Sequence, residues 1–180
     1  MSLLTTFTMK RTAWKRKPRQ ATRRPKLTAK GYKPPQWFMD IVPGSHGSTP
    51  AQKRLWRVVS EYVRQRDFEA YGGKCVSCTT RLRDWRDGHA GHWLPYSICN
   101  AWMKWDLSNI HLSCPSCNYG LTRSGAHIGH AMAEEMKRRM GDDVLDKILA
   151  RNNELRGTKI QEWELVEMVA ALRPDLVIHR

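Results

Sequence analysis

No stretch of this chain approaches the roughly 18 consecutive apolar residues that would cross a membrane. Its N-terminus carries no segment patterned as a secretory signal, and there is no internal repeat. A membrane-spanning protein and a secreted disulfide scaffold are therefore poor readings. Acidic residues are also scarce, 17 Asp and Glu against 31 Lys and Arg, for a net charge of +14. The shortage is uneven. Residues 1–47 hold eleven basic residues and one acid, Asp40, whereas the remainder holds 20 basic residues against 16 acids. A field that basic attracts polyanions, and each cation that neutralises a phosphate releases a counterion. The tail has no apolar stripe and is broken by Pro18, Pro25, Pro34 and Pro35, so it suits DNA or RNA better than the surface of a membrane. Length allows one domain plus a tail.

Five cysteines are present, and four fall into Cys75-Val-Ser-Cys78 and Cys114-Pro-Ser-Cys117. A short turn within each pair lets both sulfurs reach one ion, so the expected arrangement is a single structural Zn²⁺ on Cys75, Cys78, Cys114 and Cys117. Disulfides would require an oxidising compartment, for which the chain offers no signal. The 35 residues between Cys78 and Cys114 exceed what a minimal zinc ribbon needs, so the metal would clamp the base of an inserted segment. Cys99 reads as a small buried apolar residue.

Taken in order, residues 1 to about 33 read as disordered, with Trp14 and the basic clusters available to a nucleic acid. The segment from Pro34 to Gly47 reads as an extended arm. Ser48 or Thr49 with Pro50 opens a helix whose apolar side is Leu55, Val59, Tyr62 and Val63, and which stops at Gly72 and Gly73. Its Arg54, Arg57, Arg64 and Arg66 read as a solvated surface that can also follow a DNA backbone. Short strands are expected within Trp85–Pro95 and over Leu107–Cys114, with a helix after Asn118. Ile128, Met132, Met136 and Met140 mark a further helix ended by Gly141. Another follows, capped by Asp142 or Asp143, with Val144, Leu145, Ile148 and Leu149 inward. A last helix is expected behind a Thr158/Gln161 capping box, with Trp163, Val166, Val169 and Ala170 apolar.

Between the cysteine pairs lie His89-Ala-Gly-His92 and Asn109-Ile-His111, and Asn118 follows Cys117. A neutral imidazole beside a divalent metal can take a proton from water while the metal stabilises a departing oxyanion. Singly, His92 would be a structural histidine, Asn109 a turn residue and Asn118 a helix cap. In order inside a double-CxxC frame they resemble the HNH, or ββα-metal, nucleases. Over a longer range, Cys75–Cys78, His89–His92, Ser108–His111 and Cys114–Asn118, with Gly120 and Ser124-Gly125, are similar to the NinG (Rap) recombination proteins of lambdoid phages. The resemblance runs from about Lys53 to about Leu172.

With that resemblance the expected fold is α+β: a zinc-clamped, treble-clef-like ββα-metal core over residues 48–125 and a helical region over 126–180, while the basic tail over 1–47 lies outside the resemblance. It implies a metal-dependent, structure-specific DNA endonuclease acting on branched recombination intermediates such as Holliday junctions and D-loops, in the cytoplasm of a bacterial host. The catalytic set would be His92 as general base, Asn109 holding the loop that orients it, and Asn118 as metal ligand. Junction resolution by two symmetric cuts suggests a homodimer through the C-terminal helices, whose apolar sides equally suit a core.

The family pattern has Asp three residues before the general base, and many HNH enzymes have one immediately before it; here those positions are His89 and Gly91. Either His89 replaces the carboxylate as ligand beside Asn118, or Asp87 supplies one, or the site is weakened; the favoured reading is His89 as ligand. Imidazole favours Mn²⁺, Co²⁺ or Ni²⁺ over Mg²⁺. His111 reads as a phosphate contact or a buried strand residue, and His127 and His130 as surface positions. Arg81, Arg83, Arg86, Lys104 and Arg123 are candidate phosphate contacts. Two alternatives stand beside the nuclease reading, namely a non-catalytic zinc-stabilised DNA-binding protein and an HNH nuclease acting on linear duplex.

Overall fold

A computed structural model of the chain describes residues 32–123 and 126–175, with side chains from 121 to 126 outside the description. Residues 1–31 of the expected tail, with Trp14, lie outside these residues, as do Ser124, Gly125 and the Arg123 side chain.

The longest element, α2 (Pro50–Tyr71), begins and ends on the signals its sequence carries. The Thr49 hydroxyl accepts the Gln52 N–H at 3.2 Å, and Pro50 occupies the first turn. Gly72 sits at φ 62°, a left-handed conformation that an L side chain resists, and there the helix stops. Leu55, Trp56, Val58, Val59 and Val63 are buried along α2. Against it packs α6 (Glu162–Leu172), which buries Leu165, Val166, Met168, Val169 and Leu172.

α2 also packs on a two-stranded antiparallel hairpin, β1 (His89–His92) and β2 (Ile110–Ser113), in the register His89↔Ser113 and His92↔Ile110. All four residues of β2 are buried. The first cysteine knuckle closes through Cys75 N–H to the Thr80 carbonyl at 2.9 Å and docks on β2 through Val76 N–H to the Leu112 carbonyl at 2.9 Å. The second knuckle runs into α3 (Pro115–Arg123). Helices α4 (Ala126–Met140) and α5 (Val144–Glu154) form a second core in which Met132, Met136, Val144 and Ile148 meet Val76, Leu94, Cys99 and Met103.

Several expectations shift. The arm before Gly47 contains a short helix, α1 (Gln36–Met39), that buries Phe38. The first strand is only four residues long because Trp85–Asp87 forms a 3₁₀ turn capped by Asp84. α3 starts at Pro115, so Cys117 and Asn118 lie inside its first turn rather than ahead of it. The last capping box is Gln161 with Glu164, three residues later than expected, and Thr158 bonds to the Leu155 carbonyl instead. Leu149 faces out.

Candidate functional site

The sulfurs of Cys75, Cys78, Cys114 and Cys117 lie within 4.8 Å of one another, and Cys78 is 3.7 Å from Cys114. A tetrahedral zinc with bonds of about 2.3 Å sets its sulfurs about 3.8 Å apart, so the cluster fits that ion. Two backbone donors already face the sulfurs, Ser77 N–H to Cys75 at 3.4 Å and Cys117 N–H to Cys114 at 3.5 Å. Burial and neighbouring sulfurs push the Cys114 and Cys117 thiols up. Burial acts the same way on Cys78, but hydrogen bonds with Thr80 and the other cysteines outweigh it and bring that thiol to about 7. A divalent cation would favour the thiolate form of the cluster. Cys99 stays apart, buried, its thiol donating to the Leu94 carbonyl at 3.2 Å; burial raises it to about 11.

His89, His92 and Asn118 line one open cleft of about 990 Å³, together with His46, Trp56, Arg64, Tyr96 and Tyr119. His92 ends β1. Its Nε2 lies 3.0 Å from the Lys104 carbonyl, which only accepts, so Nε2 carries the hydrogen and the neutral ring keeps its lone pair on Nδ1. The ring stacks on Trp56 at 5.4 Å and 15°. Burial lowers its pKa to about 4 against the opposing pull of the Lys104 carbonyl.

Asn109 is fully buried and does not line the cleft; it works from behind. Its Oδ1 accepts the Leu94 N–H at 2.7 Å, and its Nδ2 reaches the carbonyls of Leu94 at 3.2 Å and Met103 at 3.4 Å. One amide thus ties both ends of the loop that delivers the Lys104 carbonyl to His92. From α5, Asn152 holds the same loop: its Oδ1 accepts the Asn100 N–H at 2.8 Å, and the Asn100 Oδ1 receives the N–H groups of Trp102 and Met103.

At the other end of β1, His89 Nδ1 lies 3.2 Å from Asn118 Nδ2. The position of a Cβ on Gly91 would lie 2.9 Å from Asn118 Oδ1 and 2.7 Å from Ser113 Oγ, so glycine there leaves room for the amide. Burial and the Arg64 charge both lower the His89 pKa, which favours the neutral, metal-binding imidazole. Among the described residues no carboxylate lines the cleft. Asp87 turns back to accept the Asp84 N–H at 3.2 Å and so closes the 3₁₀ turn. One imidazole and one amide fit a borderline ion such as Mn²⁺, Co²⁺ or Ni²⁺ better than Mg²⁺.

His111 resolves as a buried strand residue. Its Nδ1 faces Asp67 Oδ2 and its Nε2 faces the Ser108 carbonyl, each at 3.1 Å. Arg66 pairs with Asp67 at 2.7 Å and also donates to the carbonyls of Leu107 and Ile110, so it is no surface cation. Burial alone would raise the Asp67 carboxyl, yet the charges and hydrogen bonds of His111 and Arg66 hold it well below the usual carboxylate range. His127 and His130 are exposed. Of the proposed phosphate contacts, Arg81, Arg83 and Arg86 are exposed away from the cleft lining, and Lys104 covers the Tyr96 ring at 4.3 Å.

The family described as Bacteriophage Lambda NinG protein matches residues 45–174. The chain belongs to that family. No curated protein and no solved structure matches it. The NinG match begins at Ser45 and so takes in His46, which reading the sequence alone passed over. Trp56, Tyr96, Tyr119 and Asp67 were missed as well, and Arg64 was read only as part of a solvated surface able to follow a DNA backbone. His46 had a faint signal in its flanking glycines, Gly44 and Gly47; the others sit where helix and loop residues are ordinarily core or surface.

Proposed function

We propose that this NinG-family chain is a metal-dependent endodeoxyribonuclease that hydrolyses phosphodiester bonds in branched DNA. The observation that carries the reading is His92: an uncharged imidazole in a cation-lined cleft, its Nε2–H fixed by a carbonyl and its Nδ1 left to accept a proton. In this reading His92 Nδ1 takes the proton from the attacking water. The Lys104 carbonyl, held through Asn109, keeps the ring in the productive tautomer and stabilises the imidazolium that forms. Arg64 attracts the phosphodiester, and the approach of that anion raises the basicity of His92 toward neutrality. His89 and Asn118 would hold a divalent ion that, when bound, supplies Lewis-acid stabilisation of the phosphoryl and departing 3′ oxygens. The products would be 5′-phosphate and 3′-hydroxyl ends.

The preference for branched substrates rests on the family likeness, and dimerisation for two symmetric cuts is part of the same reading. The deciding assay compares the full chain with His92→Ala on a four-way junction, a flap and a linear duplex, in Mn²⁺ and in Mg²⁺. Cleavage of the branched substrates by wild type alone, faster in Mn²⁺, is expected. Binding without cleavage by both proteins would leave a zinc-stabilised DNA-binding protein, the alternative favoured by the lack of a carboxylate in the cleft. Equal cleavage of linear duplex would remove the structural preference.

A further inference from the structure

We propose that Tyr119 is a specificity-determining contact that stacks on an unpaired nucleobase beside the scissile phosphate, so that the cleft itself selects DNA with unpaired nucleotides. The proposal rests on the endonuclease reading and deepens it. The aromatic rings around the cleft fall into two kinds. Trp56 is buried and packed against His92 and His46, and Tyr96 carries Lys104 on its ring and meets His46, His92 and Trp105 edge-on. Both are committed to holding the site. Tyr119 lines the same cleft but is 62% exposed, and its ring meets that of His89 perpendicularly, with centroids 5.3 Å apart. The exposed part of that ring, beside His89, is placed where a flat ligand in the cleft can lie against it.

Charge says what that ligand carries. Among the described residues no carboxylate lines the cleft; Arg57 there is paired with Glu61 at 2.7 Å, so Arg64 is the cation that an anionic occupant would meet. Arg64 is anchored for the purpose, its Nε donating to the Ser60 carbonyl at 3.0 Å and its Nη1 to the Gly88 carbonyl at 3.4 Å, next to His89. An anion with a flat apolar part is a nucleotide, and an exposed ring interleaved with cations is how single-stranded nucleic acid is gripped. In a continuous duplex both faces of every base are already covered. Only a nucleotide at a branch, flap or gap offers a face to Tyr119 without the expense of unstacking.

The test separates this contact from catalysis by measuring binding in the His92→Ala background of the full chain. Two probes are used: a flap carrying 2-aminopurine at the branch nucleotide, and a linear duplex of matching length. Tyr119→Leu should weaken flap binding about 5- to 100-fold, the range given by the loss of one base stack. It should leave duplex binding unchanged, and Tyr119→Phe should match the parent on both probes. The parent should quench 2-aminopurine in the flap, and Tyr119→Leu should not. Equal weakening on both probes, or retained quenching in Tyr119→Leu, would overturn the proposal. Should Tyr119→Leu not fold, quenching by the parent decides: unquenched 2-aminopurine in a bound flap rejects the stack. Failure of the endonuclease reading looks different, since wild type would then cut nothing while the binding contrast persisted.

Discussion

Two histidines on the same hairpin meet opposite fates. His111 on β2 faces α2 and is sealed among Asp67, Arg66 and the Ser108 carbonyl, so both ring nitrogens are occupied. His92 on β1 receives a single acceptor, the Lys104 carbonyl, and stays neutral with one nitrogen left for chemistry. Residue type and strand are nearly alike. What differs is whether a buried carboxylate was supplied, and α2 supplies it to one side of the hairpin only. One histidine is thereby fixed as part of the scaffold and the other kept available.

The largest effect should come from removing what both histidines depend on. Both knuckles flank the hairpin, and a structural zinc site is worth about 10–16 kcal/mol in small zinc domains. A strong chelator should therefore abolish the cooperative melt, and metal analysis should find one zinc per chain. A chelated protein with an unchanged melting curve would show that the cysteines pack without an ion. Next in size is a break confined to the His111 side. Asp67→Asn keeps the shape but leaves the buried Arg66 without its counter-charge, a loss of about 3–5 kcal/mol, read by urea unfolding. The wild-type pair also has a pH signature. The Asp67 carboxyl is held below its unfolded value of about 4, so its stabilisation is complete above that value and fades as pH falls beneath it; Asp67→Asn should lose that acid slope.

How far these features were legible depends on whether local spacing encodes them. The cysteine cluster was, because CxxC brings two sulfurs together whatever lies between the pairs. So was α2, whose Thr49, Pro50 and Gly72 act within one turn. His92 could be singled out from its spacing, but its surroundings could not. Asp67 and Arg64 are three residues apart on one charged helix, and nothing in the order of residues says that one is entombed under β2 while the other faces the cleft. The ends of short elements were lost for a related reason: Trp85–Asp87 prefers a capped 3₁₀ turn to a strand once Asp84 and Asp87 bond to each other's backbone. The outward turn of Leu149 was equally invisible, since the core that α5 joins is built from residues as far away as Val76.

A break on the cleft side should spare stability and remove activity. His92→Ala is expected to lower cleavage by about 10²- to 10⁴-fold, the usual worth of a positioned general base, with melting near wild type. The pH dependence sharpens the contrast. Because the folded His92 has its pKa lowered to about 4 from an unfolded value of 6.5, the unfolded chain binds the extra proton first, and His92 erodes stability as pH falls from 6.5 toward 4. His92→Ala should flatten that window, whereas Asp67→Asn acts below it. The kcat/KM of the wild type, which reports the free enzyme, should hold steady between pH 8 and 6, where a base of ordinary pKa would already be losing its neutral form.

The smallest effect tests whether His92 can be tuned from a distance while His111 is untouched. Asn152 on α5 accepts the Asn100 N–H, and Asn100 in turn gathers Trp102 and Met103, next to the Lys104 carbonyl that orients His92. Asn152→Ala leaves the Asn100 N–H without this acceptor, a change of about 1 kcal/mol. Some of that should surface as a three- to tenfold lower kcat with KM unchanged, because the cleft surface proposed to meet DNA is not altered. Asn152→Asp, which keeps an acceptor oxygen, should restore most of it. A merely structural role would lower the melting temperature of both variants and leave kcat alone. If kcat falls and is rescued, α5 belongs to the machinery that holds the base, and the C-terminal helices serve the cleft as well as the core.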